Sequence, residues 1–240
     1  MQFDSFLLTQ YKAIPVVSRM IFTIGLVLTI LTYLDIVSPY LLVYSWQHMK
    51  KLELWRAVSS FFFWGPATLD VIIHQAFMLK YSVMLEEACS TSSDFLFMIF
   101  VGMVTIFILG SSLGLTKFSN SLSTYLIYIW SKSNPQVLVQ YMGLFSLPAY
   151  YIPSIMFIFS FVLERKLPLS DLVGIISGHI FFYLKNVATR EGRNIMKTPE
   201  FLKRLLGESQ QIRRDGQRVY AVGRAGEEGS GRVEDEGTVG

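Results

Sequence analysis

Two stretches in the second half of the chain hold side chains that could act together in serine chemistry. Ser119, Ser121 and Ser123 alternate within residues 118–125, and His179 lies in the last long apolar segment. A serine hydroxyl becomes a nucleophile when a positioned base takes its proton, and imidazole is the usual base. No glycine accompanies the serines, so the close backbone approach that builds an oxyanion hole is missing. The sequence therefore predicts that the chain is not a serine hydrolase.

His179 has a structural explanation in its own neighbourhood. Gly174 and Gly178 precede it with the small-xxx-small spacing at which helices in membranes pack closely. A single histidine inside such a segment is more often hydrogen-bonded to a structural partner than used as a general base. We predict that Gly174, Gly178 and His179 form a helix-packing face and contribute to a polar groove.

His74 is the second histidine within an apolar segment, where Asp70 and Gln75 accompany it. Asp70 and His74 share a helix face, which predicts a local hydrogen bond between them. The alternative is that His74 lines a groove for polar polypeptide, because ionisable groups inside a bilayer usually face a cavity or a partner. Both interpretations stay open from the sequence.

The segments that carry these residues are too apolar for a water-soluble protein. Of the 240 residues, 52% are hydrophobic and 16% are charged, which leaves too little polar surface for a soluble globule. Crossing a bilayer takes about 20 apolar residues in a helix. Six segments approach this length: 20–34, 68–85, 95–115, 122–130 with flanks, 147–163 and 169–184. The prediction is an all-α membrane protein with six transmembrane helices in one domain, residues 1–186.

Residues 35–65 are too polar to span a membrane and too apolar for a free loop. Trp and Tyr rings favour the depth of lipid headgroups, so we expect this first loop to be partly embedded in the interface. Trp55 and Arg56 within it predict an aromatic anchor beside a cation that extends toward water. The short spans also predict a locally thinned bilayer.

The charge distribution predicts the orientation of the chain. Eleven of the 21 Lys and Arg residues lie from residue 185 onward. With both termini in the cytosol, a six-span arrangement places fifteen Lys and Arg on the inner side and six on the outer side. Cytosolic loops carry the excess of positive charge in membrane proteins. We therefore predict that both termini are cytosolic.

The chain changes character after its last apolar segment. Thr198 and Pro199 predict the N-cap and first position of a short amphipathic helix in a juxtamembrane segment, residues 187–206. In the tail, residues 207–240, eight of 34 residues are glycine, which predicts disorder. Cys89 is the only cysteine, which excludes an intrachain disulfide. No metal, cofactor or nucleic-acid site is predicted.

Four patterns, in this order along the chain, resemble the Derlin family of rhomboid-like membrane proteins of the endoplasmic reticulum. They are residues 14–19 (IPVVSR), 54–56 (LWR), 81–86 (YSVMLE), and Gly192, Arg193 and Asn194 followed by Thr198, Pro199 and 200–202. The fourth spacing is the most specific signal. The ordered set spans most of the chain, so the match is with the family as a whole.

This resemblance implies a six-helix rhomboid-like bundle without protease activity. It also implies a role in moving misfolded proteins from the endoplasmic reticulum to the cytosol. The implied partners are misfolded substrates, a membrane ubiquitin ligase complex, a cytosolic AAA ATPase and further copies or relatives of the chain. Residues 215–219 are similar to a glycine-and-basic box with which some Derlins bind that ATPase, and a solvated linker is the alternative interpretation.

Two other functions remain as alternatives. An active intramembrane rhomboid protease would pair His179 with one of the three serines, but its Gly-x-Ser-Gly motif is missing here. A small-solute carrier would show an inverted repeat with paired broken helices, which the sequence lacks. The preferred prediction is a Derlin-like protein without catalytic activity or cofactor.

Overall fold

The computed structural model describes residues 9–141, 145–190 and 198–206. Its helices include α1 (Val16–Tyr33), α2 (Pro39–Leu42), α3 (Trp46–Met49), α4 (Trp55–Phe62), α5 (Leu69–Ala88), α6 (Ser92–Ser112), α7 (Ser119–Ser133), α8 (Ile152–Glu164), α9 (Leu169–Arg190) and α10 (Glu200–Leu205). Strands β1 (Leu138–Tyr141) and β2 (Phe145–Pro148) form an antiparallel hairpin between α7 and α8. The chain divides into two compact units, Met1–Lys197 and Thr198–Gly240, and α10 belongs to the second.

Long helices form at all six segments that the hydropathy pattern indicated, namely α1 and α5 to α9. The fifth begins at Ile152 rather than at residue 147, because residues 145–148 belong to β2. Pro153 lies in the first turn of α8, where its fixed φ suits a helix start and its missing N–H is not needed. The β1–β2 hairpin is an addition to the all-α class that the sequence did not predict.

Two helices are long and apolar enough to cross a membrane by length and composition. Among the described residues, α1 and α6 meet this test, with mean hydropathies of 1.8 and 2.3 over 18 residues. A shorter apolar helical stretch covers Ala149–Val162. The remaining long helices are shorter or contain polar side chains, such as His74 in α5 and Asp171 in α9.

Helix α7 lies at the centre of the first unit. Nearly every residue from 119 to 131 is buried, and α5, α6, α8 and α9 pack against it. A Cβ added at Gly174 of α9 would lie 2.5 Å from the Ser121 carbonyl oxygen. On another side, a Cβ at Gly102 of α6 would lie 2.5 Å from the Tyr125 ring. Glycine faces on two helices therefore allow the close approach that holds α7 in place.

The first loop, residues 35–65, folds against the ends of α6 and α7. The Tyr44 amide donates to the Thr116 carbonyl at 2.8 Å, and the Phe118 amide donates to the Ser60 carbonyl at 2.9 Å. Four rings pack together with centroid distances of 5.0 to 5.9 Å: Tyr44, Phe61, Phe107 and Phe118. This aromatic cluster fixes the loop at one end of the bundle, which we call the loop end.

Replacing Gly174 with alanine should destabilise the bundle, because the new methyl group would lie 2.5 Å from a backbone oxygen. We expect a loss of about 1–3 kcal/mol in the free energy of unfolding, as in other overpacked cores. Gly25→Ala is the matched control, since its Cβ would lie 3.4 Å from the nearest atom. Thermal unfolding of both variants in detergent measures the difference. Equal melting temperatures would contradict the packing of α7 on α9.

Candidate functional site

The α7 serines are buried and two of them bind backbone carbonyls of neighbouring elements. Ser119 Oγ donates to the Phe63 carbonyl at 3.0 Å. Ser121 Oγ donates to the Ser170 carbonyl at 2.7 Å. A hydroxyl has one proton to donate, so these bonds use the proton that a nucleophilic serine would transfer to a base. They instead join α7 to the first loop and to the start of α9.

His179 lies away from these serines. Its Nδ1 is 2.8 Å from the Tyr128 hydroxyl oxygen. Gly174 packs on Ser121, and Gly178 packs on Tyr128, so α7 and α9 run in the same direction. Tyr128 is two helical turns, or about 10 Å, beyond Ser121. In the described part of the chain, no hydrogen bond joins His179 to a serine of α7.

A buried carboxylate gathers polar side chains near the loop end of the bundle. Asp171, in the first turn of α9, accepts a hydrogen bond from Thr124 Oγ1 of α7 at 3.1 Å. It also accepts one from the side chain of Ser160 in α8, and His74 of α5 lies within electrostatic reach. Polar groups inside a helical bundle stabilise it only when they are paired in this way. Asp171 is therefore a point at which four long helices meet.

His74 reaches beyond its own helix. Its ring stacks on Trp64 with a centroid distance of 6.0 Å and an interplanar angle of 15°, and Asp171 of α9 is the carboxylate near it. The side chain of Asp70, the partner predicted from the sequence, lies outside the described residues. Sequence reasoning missed Asp171. An acidic residue in the first turn of an apolar segment is the signal that would have found it.

Arg56 of the first loop is buried, with 5% of its surface exposed. Its guanidinium donates to the Tyr40 carbonyl and to a Glu53 carboxylate oxygen. The predicted extension of this cation toward water is therefore wrong. Pairing with a carboxylate and a carbonyl offsets part of the cost of burying this guanidinium. Arg56 thus joins α4 to α2 and gives the loop a fixed shape.

Trp55, next to this buried cation, is 57% exposed. Other large apolar side chains that the first loop exposes include Tyr40, Leu41, Trp46, Leu52 and Leu54. We refer to these six residues as the apolar loop surface. Trp and Tyr rings favour the headgroup region of a membrane, and exposed apolar side chains at one site usually mark a contact with lipid or protein. The structure therefore presents a rigid loop with an apolar surface.

Glu86 makes an interaction that the sequence did not predict. Its buried carboxylate accepts hydrogen bonds from the Val17 amide at 3.0 Å, the Ser18 amide at 2.7 Å and Ser18 Oγ at 2.7 Å. The first amides of a helix have no partner within the helix, and its N-terminus attracts negative charge. Glu86, near the end of α5, therefore caps the start of α1. Two of the Derlin-like patterns, residues 14–19 and 81–86, meet in this contact.

The remaining predicted residues lie near or beyond the end of the first unit. Gly192, Arg193 and Asn194 lie outside the described residues, as does the tail, 207–240. Helix α10 begins at Glu200, one residue later than predicted, with Pro199 in the cap position and Thr198 buried before it. Within the described ranges, no group of three or more His, Cys, Asp or Glu side chains could hold a metal ion.

Long apolar helices, close helix packing at glycines and polar groups buried between helices are typical of helical membrane proteins. The sequence model of the Der1-like family matches residues 14–200 of the chain. The chain belongs to this family, the Derlins, and the resemblance read from the four patterns is confirmed.

Named Derlins match most of the chain. Derlin-2.1 of Zea mays is 31% identical over 217 residues, which cover 84% of this chain and 87% of its own length. Derlin-2.2 of Arabidopsis thaliana is 33% identical over 213 residues, covering 82% and 87%. The probable derlin-2 homolog of Dictyostelium discoideum is 31% identical over 214 residues, covering 84% of both. All elements from α1 to α9 lie within the range matched by the family.

Replacing Glu86 with alanine should loosen the start of α1, because two helix amides and a hydroxyl lose their acceptor. We expect the free energy of unfolding to fall by about 1.5–3 kcal/mol, the range for hydrogen bonds to a charged group. The neighbouring Glu87 is exposed, so Glu87→Ala is the control and should change stability by less than about 0.5 kcal/mol. Thermal unfolding of the purified variants measures both. A Glu87 effect as large as that of Glu86 would refute the capping role.

Proposed function

We propose that the chain is a non-catalytic Derlin of the endoplasmic reticulum membrane that helps misfolded proteins cross to the cytosol. Family membership supports this function. The observation that carries it is the separation of Ser121 from His179, which bind a backbone carbonyl and Tyr128 respectively. Since a serine nucleophile needs a base within hydrogen-bond reach, this arrangement favours a structural and binding role over proteolysis.

In this proposal, α1 and α5 to α9 form a six-span rhomboid-like bundle with both termini in the cytosol. The loop end would then face the lumen. Helices α7 and α8 have 15 and 13 residues, lengths of about 22 and 20 Å at the rise of an α-helix. The hydrocarbon core of a bilayer is about 30 Å thick. Helices this short favour local thinning of the bilayer, which shortens the distance that a substrate must cross.

The first loop would act on the luminal leaflet. Arg56 holds the loop rigid from within, while Trp55 and the rest of the apolar loop surface face outward. A rigid apolar surface at headgroup depth displaces lipid at a fixed position on the protein. Arg56 and Trp55 therefore have different roles in the proposal, the first in the shape of the loop and the second in its contact with lipid.

A polar groove beside α7 would receive the substrate. Its proposed lining includes His74 and Asp171 near the loop end and His179 toward the other end. Helix α8 is the shortest long helix and packs mainly against α7. Because few contacts hold α8 in the bundle, its side is the most accessible to a polypeptide that enters from the lipid.

The proposed partners lie on the cytosolic side. A membrane ubiquitin ligase complex and an AAA ATPase would receive the substrate there, and the tail, residues 207–240, would contact the ATPase. The proposed division of the chain has a membrane domain, 1–186, a juxtamembrane segment, 187–206, and this tail. Further copies or relatives of the chain are proposed partners within the membrane.

Deleting the gene should slow the turnover of misfolded luminal and membrane reporters, and the wild-type chain should restore it. Trp55→Ala should restore turnover only in part, because the loop keeps its fold but loses one of its exposed rings. Phe100→Ala is the control, since it removes an exposed aromatic residue from the middle of α6. Pulse–chase half-lives of the reporters measure the effect. Unchanged turnover of every reporter after deletion would refute the proposed function.

The absence of protease activity has its own test. Wild-type protein in detergent should not be labelled by a fluorophosphonate probe, because Ser119, Ser121 and Ser123 are buried and the first two donate to carbonyls rather than to His179. His179→Ala should give the same result. Labelling of wild type that disappears in both His179→Ala and one serine-to-alanine variant would establish a serine protease instead.

A further inference from the structure

Lys132 lies at the end of α7 opposite the loop end. Lys132 is partly buried, and its Nζ lies 4.0 Å from the ring centroid of Tyr150 and 5.6 Å from that of Tyr128. In the described part of the chain it makes no ion pair. Aromatic rings attract an ammonium group but do not neutralise it. The Lys132 ammonium therefore keeps a positive charge that can bind an anion.

His179 adds an imidazole to the same place. Its Nδ1 is 2.8 Å from the Tyr128 hydroxyl oxygen, whose ring Lys132 also contacts. Either group can donate in this bond, and the tautomer in which Tyr128 donates to Nδ1 has the imidazole proton on Nε2. The His179 side chain is exposed, which leaves Nε2 accessible from outside the bundle. The hydroxyl of Tyr150, a half-exposed residue, is a third polar group beside the lysine.

The depth of this cluster follows from the packing of α7 on α9. Tyr128 is level with Gly178, and Lys132 is one turn further along α7. Helix α9 continues to Arg190, so Lys132 lies about two turns inside the end of α9. If α9 crosses the bilayer as proposed, the ammonium lies at or just below the plane of the headgroups. A cation at this depth is stable when it reaches phosphate or another anion.

The surroundings of His179 are those of a lipid-facing surface. Ile176, His179 and Tyr183 are three and four residues apart, which places them on one face of α9. Ile176 is 41% exposed and Tyr183 is 61% exposed. This face is apolar one turn before His179 and aromatic one turn after it, toward Lys132. Such an order suits an acyl chain beside Ile176 and a headgroup beside Tyr183.

We propose that Lys132, His179 and Tyr150 bind the phosphate of an anionic phospholipid in the leaflet opposite the loop end. The inference rests on the proposed membrane-spanning bundle. The short α7 places the binding groups deeper than the end of α9, so the bound headgroup is drawn inward. The thinning proposed for the luminal leaflet would then have a counterpart on the cytosolic side, at a defined lipid site.

Lipid retention by purified full-length protein tests the proposal. The protein is reconstituted in phosphatidylcholine with added phosphatidylserine, and native mass spectrometry counts the lipids that remain bound. Wild type should retain phosphatidylserine preferentially. Lys132→Gln should lower this retention about tenfold, because the charge-assisted contact to the bound phosphate is lost, whereas Lys132→Arg should keep it.

Lys50→Gln is the matched control, because Lys50 also lies over an aromatic ring, 5.9 Å from that of Trp46, but in the first loop. It should leave phosphatidylserine retention unchanged. Equal retention by wild type and Lys132→Gln, or an equal loss in Lys50→Gln, would overturn the proposal. Displacement of the lipid by inorganic phosphate would also overturn it, since the site would then bind a soluble anion.

His179→Phe gives a second test if Lys132→Gln lowers the yield of folded protein. It keeps an exposed ring and removes the imidazole, so retention of phosphatidylserine by the folded protein should fall, and the melting temperature should drop slightly because the bond to Tyr128 is lost. Retention equal to wild type in a folded His179→Phe variant would remove the histidine from the site and contradict the proposal. The readout is lipid mass on purified protein, so its outcome is independent of reporter turnover in cells.

Discussion

The close approach of α7 to its neighbours is the constraint on which the rest of the structure depends. Glycines on α6 and α9 leave room only for the α7 backbone and its rings, because a Cβ atom added at Gly102 or Gly174 would lie 2.5 Å from an atom of α7. This packing sets the register between α7 and α9. The register in turn places Ser121 beside Ser170, Thr124 beside Asp171, and Tyr128 beside His179. The polar contacts of the bundle are consequences of how these helices fit together.

The same register keeps Ser121 and His179 apart. A serine nucleophile and its base must lie within hydrogen-bond reach, yet Tyr128 occupies Nδ1 of the histidine and a backbone carbonyl occupies the hydroxyl of Ser121. Residue types suited to hydrolysis are thus engaged in holding helices together. The sequence predicted a packing role for the glycines and a hydrogen-bonding role for the histidine. Both contacts belong to the interface between α7 and α9.

Buried charged side chains stabilise the elements that lie outside the glycine-packed contacts of α7. Glu86 caps the start of α1, and Arg56 ties α4 to the Tyr40 carbonyl. Each charge is buried and hydrogen-bonded, which offsets part of the desolvation penalty that a lone ion would have. In the proposed function, this fixed loop shape lets Trp55 act at a defined depth in a membrane. Lys132 differs from these charges because its described contacts are aromatic rings alone.

The sequence by itself determined the long helices, the apolar composition and the family. Hydropathy, charge and short motifs depend on neighbouring residues, so they can be recognised without a structure. It indicated the six long helices to within a few residues and failed at residues 145–148, where an apolar run forms a strand. Only the tertiary structure decided which polar groups meet. Glu86 and Val17 are 69 residues apart in the chain, and Thr124 and Asp171 are 47 apart. Contacts over such distances depend on helix register and packing, which no local pattern in a single sequence encodes.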